Sequence, residues 1–340
     1  MQIRYNTYRI VTSALSPLIS GWLRIRLLQG KENKSRFSER FGFSKIPRPK
    51  GVLLWIHAAS VGEVNSVLLL IEQIQTRFPD VHILLTTGTV TSAQLVEKRM
   101  LKNVIHQFVP VDTMEATNRF LRHWRPDIGF WVESELWPNL VINARARGCF
   151  MIVINGRMSM KSYLSWQKFA LLMMYQMMGC FEIIFAQSEA DAQRFRALGA
   201  RDVRYVGNLK YDAEPLPCKE VDLFAMQQEI GIRQLWLAAS THNNEEEQLL
   251  ETHKLLAATR PDLLTIIAPR HPQRGEEIAK LFSVHGKVAL RSHGDKITTD
   301  TNFYIADIKE DVEKICRKLG KKSILITNRS SLPLLKGCVR

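Results

Sequence analysis

Short apolar runs alternate with amphipathic stretches along most of the chain from residue 51 onward. Six runs in the first half have the length and composition of buried strands. They are VLLWIH (52–57), VHILLT (81–86), VIHQFV (104–109), DIGFWV (127–132), FMIVIN (150–155) and EIIFAQ (182–187). Between two of them, Val64, Val67, Leu68 and Ile71 recur at helical spacing. Strands that alternate with helices predict a parallel sheet of βαβ units.

A turn-rich stretch, GNLKYDAEPLP (207–217), separates this series from a second, shorter one. The second series has strand-like LWLAAS (235–240) and LLTIIA (263–268), with helices expected from about Glu245 and about Gln273. The pattern therefore predicts two α/β domains joined by a linker, with a cleft between them. Ligands of such sheets bind beyond the carboxyl ends of the strands.

The N-terminal segment has a different pattern, both apolar and basic. The stretch from Ile10 to Leu28 is largely apolar, but a proline and two arginines interrupt it. It is marginal against the roughly 20 apolar residues that a membrane-spanning helix needs. The basic flank from Arg24 to Arg40 is typical of an interfacial anchor on an anionic leaflet. We expect residues 1–42 to contact the membrane, by spanning it or lying on it; a core helix packed on the following domain is the alternative.

Composition adds a strong positive charge to this picture. The 340 residues include 47 Lys and Arg against 33 Asp and Glu, a formal net charge of +14. Such a surface attracts phosphorylated small molecules, anionic lipid or nucleic acid. Nucleic acid is disfavoured, because the charge gathers beside an apolar segment and no basic motif is interleaved with aromatic residues. The 5 cysteines lack C-x-x-C spacing, so we expect no metal site.

Polar residues follow the strands of the first domain, at the edge where a parallel sheet collects its carboxyl ends. In HAASVGEV, we expect Ser60 and Gly62 to permit a tight turn and Glu63 to project from the first helical turn. A carboxylate there can accept a proton from an attacking hydroxyl. A simple acidic cap of the helix dipole is the alternative. The other candidates at this edge are Glu133, Glu135, Asn155, Arg157 and Ser159.

Two loops of the second domain occupy similar positions after its strands. Their hydroxyls, guanidinium groups and helix N-termini are typical of an anion site that needs no metal. The candidates are Ser240, Thr241 and His242 in one loop, Pro269, Arg270, His271 and Arg274 in the other, and Lys210 in the linker. His242 taken alone is more typical of a hydrogen-bonded loop residue. A Walker loop and a G-x-G-x-x-G motif are both absent, which excludes P-loop kinases and standard dinucleotide enzymes.

Eight motifs occur together and in a fixed order along this chain. They are WIHAASVGE, TTGTVTSA, ESELWPN, NGRMSMKSY, AQSEADAQRF, GNLKYD, STH and APRHPQR. In this combination the chain resembles the 3-deoxy-D-manno-octulosonic acid (Kdo) transferases of lipopolysaccharide assembly. The resemblance extends from the N-terminal segment to about Phe282.

The resemblance implies a GT-B glycosyltransferase of two Rossmann-like domains, without a metal or other cofactor. Such an enzyme moves Kdo from CMP-Kdo to a lipid A precursor at the cytoplasmic leaflet of the inner membrane, inverting the anomeric centre. It implies that Glu63 is the general base, and that Arg270 with the Ser240–His242 loop stabilises the phosphate of the CMP leaving group. Residues 43–206 would bind the acceptor and residues 218–308 the nucleotide sugar.

The C-terminal sequence departs from the family pattern. After FYIADI (303–308), the family continues into glycine-rich segments that grip CMP, whereas this chain contains no Gly-Gly. Asn244 also stands where the family usually has Gly. We therefore expect an incomplete second domain, an aberrant tail at residues 309–340 and impaired donor binding. The alternative function is an inactive remnant that binds the membrane or the lipid A precursor without catalysis.

Overall fold

The computed structural model describes residues 2–99, 101, 103–209, 220–308 and 323–327. The chain divides into two compact units, Met1–Ala213 and Glu214–Arg340. Each unit contains one sheet whose strand pairs are all parallel and whose strands alternate mainly with helices. The prediction of an α/β fold with parallel sheets is confirmed.

The first unit is built on a seven-stranded sheet. Its strands are β1 (Leu53–His57), β2 (His82–Thr87), β3 (Val104–Phe108), β4 (Ile128–Val132), β5 (Phe150–Gly156), β6 (Ile183–Ala186) and β7 (Val203–Tyr205). The order is β3-β2-β1-β4-β5-β6-β7, so the direction of strand addition reverses between β1 and β4. Ligands of open parallel sheets bind at such a reversal. The six predicted strands are all present, and β7 is the additional one.

Helices cover both faces of this sheet. They are α3 (Val61–Arg77), α4 (Val90–Arg99), α5 (Met114–Trp124), α6 (Pro138–Ala146), α7 (Met160–Met178) and α8 (Glu189–Ala197). Side chains alternate between the faces along a strand. Trp55 accordingly packs with Phe120 and Trp131 on one face, while Ile56 packs with Val64 on the other. Burial on both faces explains why the strands are continuous apolar runs.

Two helices precede the sheet, α1 (Gln2–Ala14) and α2 (Ser16–Leu28). Each has a buried anchor, Tyr5 at 4% exposure and Leu23 at 2%. Large apolar side chains point outward on the same helices: Ile10, Val11, Leu15, Leu18, Trp22, Ile25 and Leu28. The segment therefore combines a packed inner face with an apolar outer face. Among the described helices, none has the length and apolarity that crossing a bilayer requires.

The basic flank of this segment is partly internal to the protein. A 3₁₀ helix, Lys34–Phe41, packs Arg36 against Glu39 at 2.8 Å. Arg40 is only 6% exposed and binds Glu32 at 2.9 Å. These two arginines of the basic flank are therefore held by carboxylates of their own chain.

The second unit has a five-stranded sheet. Its strands are β8 (Leu235–Thr241), β9 (Leu264–Pro269), β10 (Lys287–Leu290), β11 (Thr301–Ile305) and β12 (Ser323–Thr327), and its helices are α9 (Glu220–Ile230), α10 (Glu246–Ala257) and α11 (Gly275–Ser283). The strand order is β10-β11-β9-β8-β12. Strand β12 lies within the stretch expected to be an aberrant tail, yet it pairs in register with β8. The rest of that stretch, 309–322 and 328–340, lies outside the described residues.

Candidate active site

Glu63 lies in the first turn of α3, directly beyond the carboxyl end of β1. Its Oε2 accepts a hydrogen bond from the Ala59 N–H at 2.8 Å, and its Oε1 accepts one from the Ser60 hydroxyl at 2.9 Å. The Ser60 oxygen in turn accepts from the Glu63 N–H at 3.3 Å. This reciprocal arrangement is a variant of the capping box, in which the carboxylate accepts from the N–H of the residue before the N-cap. The capping interpretation of Glu63 is therefore correct as geometry, and it leaves further lone pairs on both carboxylate oxygens.

The electrostatic setting of Glu63 differs from that of an ordinary cap. The residue is 7% exposed, and the structure pairs it with no cation among the residues it describes. Burial raises its pKa from 4.5 to about 7, against the opposing hydrogen bonds from Ala59 and Ser60. The carboxylates of Glu133 and Glu135 add to the rise in pKa. A carboxyl with a pKa near neutrality is matched to accepting a proton at physiological pH.

Glu133 and Glu135 reach Glu63 because β4 is the neighbour of β1. Glu133 has a φ of +59°, a left-handed conformation that is costly for a non-glycine residue. Its N–H donates to the carbonyl of Ile154 at 3.1 Å, and the Trp137 indole donates to Glu135 at 3.2 Å. The loop is thus fixed in a strained conformation beside the candidate base.

The tight turn expected at Gly62 is absent. Gly62 lies inside α3, without a positive φ, and a Cβ there would meet only the Ser60 hydroxyl at 3.9 Å. The close approach occurs instead at Gly88, whose N–H donates to the carbonyl of Ala59 at 2.8 Å. A Cβ at Gly88 would lie 3.0 Å from that carbonyl oxygen. Gly88 therefore lets the next loop pack against the one that carries Glu63.

Asn155 is the second-last residue of β5, has a φ of +53° and is 1% exposed. Its Oδ1 accepts from the Leu209 N–H at 3.1 Å, and its carbonyl accepts from the Gln187 side chain at 2.9 Å. Its Nδ2 has no hydrogen-bond partner within the part of the chain that the structure describes. Asn155 thus holds the start of the predicted linker, and Lys210 lies just outside the described residues.

Two other candidates on this side are exposed. Arg157 presents its side chain to solvent after β5. Ser159 is the N-cap of α7, where its oxygen accepts from the Ser162 N–H at 3.1 Å. The Ser159 hydroxyl therefore also has a structural role, whereas the guanidinium of Arg157 is accessible to a ligand.

The two candidate loops of the second unit meet at the carboxyl ends of β8 and β9. Ser240 has a φ of +59° and lies at a register shift, so the strand is locally irregular there. The N–H of Arg270 donates to the carbonyl of Thr241 at 3.0 Å, and Thr241 pairs with Pro269. The ring of His242 lies 6.2 Å from that of His271.

Two groups in these loops can still form hydrogen bonds with a ligand. The Oγ1 of Thr241 is buried and lacks a partner among the described residues. Arg270 is exposed, and its guanidinium makes no ion pair with any residue the structure describes. Arg274, expected to join the same anion site, is instead held by Glu246 at 2.7 Å. Arg270 is therefore the cation best placed to bind an anion here.

His57, which the sequence reasoning passed over, lies at the end of β1. Its Nδ1 is 3.0 Å from the Thr86 hydroxyl, which also accepts from the Trp55 indole at 2.8 Å. Burial lowers the pKa of His57 to about 4, so the ring is neutral at pH 7. The sequence feature that could have identified His57 is its position at the end of a buried apolar run. Within the described chain, no group of three or more His, Cys, Asp or Glu residues is arranged to hold a metal ion.

Comparison with known proteins identifies the family of the chain. Residues 35–213 match the family model described as 3-Deoxy-D-manno-octulosonic-acid transferase (kdotransferase). The chain is 36% identical over 341 residues to a probable mitochondrial 3-deoxy-D-manno-octulosonic acid transferase of Arabidopsis thaliana, covering 98% of this chain and 76% of the relative. It is 36% identical over 305 residues to the 3-deoxy-D-manno-octulosonic acid transferase of Rickettsia bellii, covering 88% and 72%.

Solved structures add information on the fold alone. The UDP-GlcNAc 2-epimerase of Neisseria meningitidis, bound to UDP-GlcNAc, superposes with a TM-score of 0.57 at 14% identity, covering 83% of this chain and 78% of that one. At such low identity the likeness concerns architecture. The predicted GT-B type of α/β fold, with Rossmann-type parallel sheets, is confirmed at that level.

Proposed function

The chain belongs to the 3-deoxy-D-manno-octulosonic acid transferase family, and from this membership we propose that it transfers Kdo from CMP-Kdo to a lipid A precursor. Membership itself makes the chain a Kdo-transferring glycosyltransferase. The donor, the acceptor, the inverting stereochemistry and the role of Glu63 are the parts that we propose. No metal or cofactor takes part in the proposed reaction.

In the proposed reaction, a hydroxyl oxygen of the lipid sugar attacks the anomeric carbon of Kdo. The bond between that carbon and the phosphate oxygen of CMP breaks, and CMP leaves with the electron pair. Glu63 takes the hydroxyl proton as the new bond forms. A single displacement of this kind inverts the anomeric centre.

One observation carries the assignment of Glu63. It is a buried carboxylate, at the point where the strand order reverses, whose pKa is raised to about 7 and which has no cationic partner among the described residues. A purely structural carboxylate gains stability from a nearby cation or from solvent. Glu63 is only 7% exposed and has no cationic partner among the described residues, which is typical of a group selected for proton transfer.

On the donor side, Arg270 is the residue that we expect to neutralise the phosphate of CMP. Arg270 is exposed and its backbone N–H donates to the Thr241 carbonyl at 3.0 Å, and the Thr241 hydroxyl is buried and without a partner among the described residues. A guanidinium and a hydroxyl can both donate hydrogen bonds to the oxygens of a phosphate.

The proposal places the chain on the cytoplasmic face of the inner membrane, held by α1 and α2. The exposed fractions of Leu18, Trp22 and Ile25 are 71%, 56% and 54%, and their spacing places them on one face of α2. Arg24 and Lys31 are exposed nearby and suit an anionic leaflet. Such a helix lies in the interface rather than crossing it.

A transfer assay tests the enzymatic proposal. The purified chain is incubated with CMP-Kdo and a lipid A precursor, with and without EDTA, and products are identified by mass spectrometry and anomeric NMR. We expect an inverted Kdo product that is insensitive to EDTA and is lost in Glu63→Ala. Transfer that survives Glu63→Ala would overturn the assignment of the base. Lipid binding without transfer by the unaltered chain would instead favour the inactive remnant.

Vesicle flotation tests the membrane proposal separately. Trp22→Asp should reduce binding to vesicles that contain anionic phospholipid, because it places a charge in the apolar face. Leu255→Asp is the matched control, since Leu255 is 77% exposed on the second unit. Equal binding by both variants would contradict the role of α2.

A further inference from the structure

We propose that Asp112 is the positioning residue for the loop that carries Glu133 and Glu135, and that Tyr8 connects Asp112 to helix α1. This inference rests on the proposed role of Glu63, because the loop matters through its effect on that carboxyl. Asp112 follows β3 in the sequence and touches none of the reacting groups. Its influence passes through the helix that begins directly after the acidic loop.

Asp112 caps helix α6 from a different part of the chain. Its Oδ1 accepts from the Leu140 N–H at 2.8 Å, and its Oδ2 accepts from the Asn139 N–H at 3.0 Å. The residue at the N-cap of α6, Trp137, supplies no side-chain cap of its own. The first N–H groups of a helix need partners, and an anion there also suits the helix dipole. Asp112 therefore replaces the missing cap.

The acidic loop is held at both of its ends. At the sheet end, the N–H of Glu133 donates to the carbonyl of Ile154 at 3.1 Å. At the helix end, the chain enters α6 at Pro138, next to the N–H groups that Asp112 binds. A left-handed φ at Glu133 persists only where its surroundings enforce it. Asp112 supplies the enforcement at the helix end.

Helix α1 is connected to the same place by hydrogen bonds that are buried or partly buried. The Tyr8 hydroxyl donates to Asp112 Oδ2 at 2.8 Å. The Asn139 side chain, 0% exposed, donates to the Thr12 hydroxyl at 3.1 Å and to the Asp112 carbonyl at 2.6 Å. The Tyr5 hydroxyl donates to Asn143 at 3.5 Å. The helix proposed to lie on the membrane is therefore bonded directly to the support of the acidic loop.

The consequence for Glu63 follows from charge repulsion. Glu133 and Glu135 raise the pKa of Glu63 because the loop holds like charges near it. Without the cap, the loop is free to relax, and like charges separate when they are free to do so. The pKa of Glu63 then falls, and its carboxylate becomes a weaker base.

The test compares Asp112→Asn and Tyr8→Phe with matched controls. Asp127→Asn is the control for the first, because Asp127 accepts the Leu53 N–H at 2.8 Å, at the amino end of β1 in the same sheet. Tyr175→Phe is the control for the second, since the Tyr175 hydroxyl donates only to the Ala197 carbonyl among the hydrogen bonds of the described chain. The readouts are kcat/KM against pH and a ¹³C NMR titration of the Glu63 carboxyl, assigned by subtracting the Glu63→Gln spectrum.

We expect Asp112→Asn to lower kcat/KM by roughly ten- to a hundredfold, as misplacement of catalytic groups does. The acidic limb of its pH profile and the ¹³C titration of Glu63 should both move to lower pH. Tyr8→Phe should shift the pH profile and the ¹³C titration in the same direction by a smaller amount. If Asp112→Asn does not fold, Tyr8→Phe is the deciding variant. The controls should leave both readouts unchanged.

An unshifted ¹³C titration in folded Asp112→Asn, or in Tyr8→Phe where the first variant does not fold, would overturn the proposal. A shift of equal size in the controls would also overturn it. Failure of the enzymatic proposal is a distinct outcome. A chain without any Kdo transfer, but with a ¹³C titration that moves in Asp112→Asn, retains Asp112 as the support of the loop and loses the reaction.

Discussion

The two units each place a buried glutamate in the first turn of the helix after the first strand. In the first unit, HAASVGE leads to Glu63, which is 7% exposed. In the second unit, LAASTHNNEEE leads to Glu246, which is 2% exposed. The local sequences are alike up to the serine, yet the surroundings of the two carboxylates differ.

Among the described residues, the difference is a single cation. Glu246 binds the guanidinium of Arg274 at 2.7 Å, and that hydrogen bond raises the pKa of Arg274. The pair joins the starts of two helices. For Glu63, burial raises the pKa to about 7, the two acidic neighbours add to the rise, and the hydrogen bonds from its own loop oppose it. The same position thus gives a structural ion pair in one unit and a proton acceptor in the other.

The largest effect is expected from making the same substitution at both positions. Glu63→Gln should lower kcat by roughly 10²- to 10⁴-fold, the usual contribution of a general base, with little loss of stability. Glu246→Gln should instead destabilise the second unit, because Arg274 loses its charged partner. Transfer assays and thermal denaturation measure the two effects. Glu72→Gln, exposed on the same helix as Glu63, is the control and should change neither.

Removal of the cationic partner of Glu246 should give that carboxylate surroundings like those of Glu63. Arg274→Met leaves Glu246 buried and unpaired, which we expect to cost about 3 kcal/mol of unfolding free energy at neutral pH. Urea denaturation measures this loss. Lys254→Met, which removes an exposed pair with Glu251, is the control and should cost less than about 1 kcal/mol.

The pH dependence of stability offers a third comparison. The native state of the unaltered chain holds the proton of Glu63 up to about pH 7, whereas the unfolded chain releases it near pH 4.5. Because the native state binds this proton more tightly than the unfolded state does, the free energy of unfolding falls as pH rises from about 4.5 to about 7. Relative to Glu63→Gln, the unaltered chain should lose at most about 3 kcal/mol between these limits. If the difference in unfolding free energy between the two proteins does not change with pH, the raised pKa is contradicted.

The smallest effect concerns the hydroxyl that binds Glu63. Ser60→Ala removes a hydrogen bond that lowers the pKa of Glu63, so the acidic limb of the transfer profile should move to higher pH. The loss of the cap should cost about 1 kcal/mol. Ser188→Ala is the control, because Ser188 and Asp191 form the same reciprocal cap on α8. It should cost similar stability without moving the limb.

Much of the fold was predictable because burial on both faces leaves a plain signal in parallel strands. The six apolar runs of the first unit became strands within one residue at nearly every end. Short strands were missed: β7 has three residues, and β10 begins with an exposed lysine. Strand β12 was missed because its stretch departed from the expected family sequence.

The sequence predicted which polar residues lie at the strand ends, but not which side chains they bind. Glu63 and the Ser240–His242 loop are found at strand ends, as βαβ topology requires. Whether a buried carboxylate has a cation depends on contacts across the chain, such as Glu246 with Arg274, 28 positions apart. Asp112 follows the same strand-end rule, and it was overlooked because its partners, Tyr8 and Asn139, lie on other elements.

Direct titration of the Glu63 carboxyl tests the contrast between the two glutamates best. The measurement is ¹³C NMR of carboxyl-labelled protein across pH 3 to 9, with the resonance identified from its absence in Glu63→Gln. A midpoint near pH 7 is the expected result. A midpoint near 4.5, the ordinary value for a glutamate, would contradict the conclusion that this buried carboxylate is set up to take a proton.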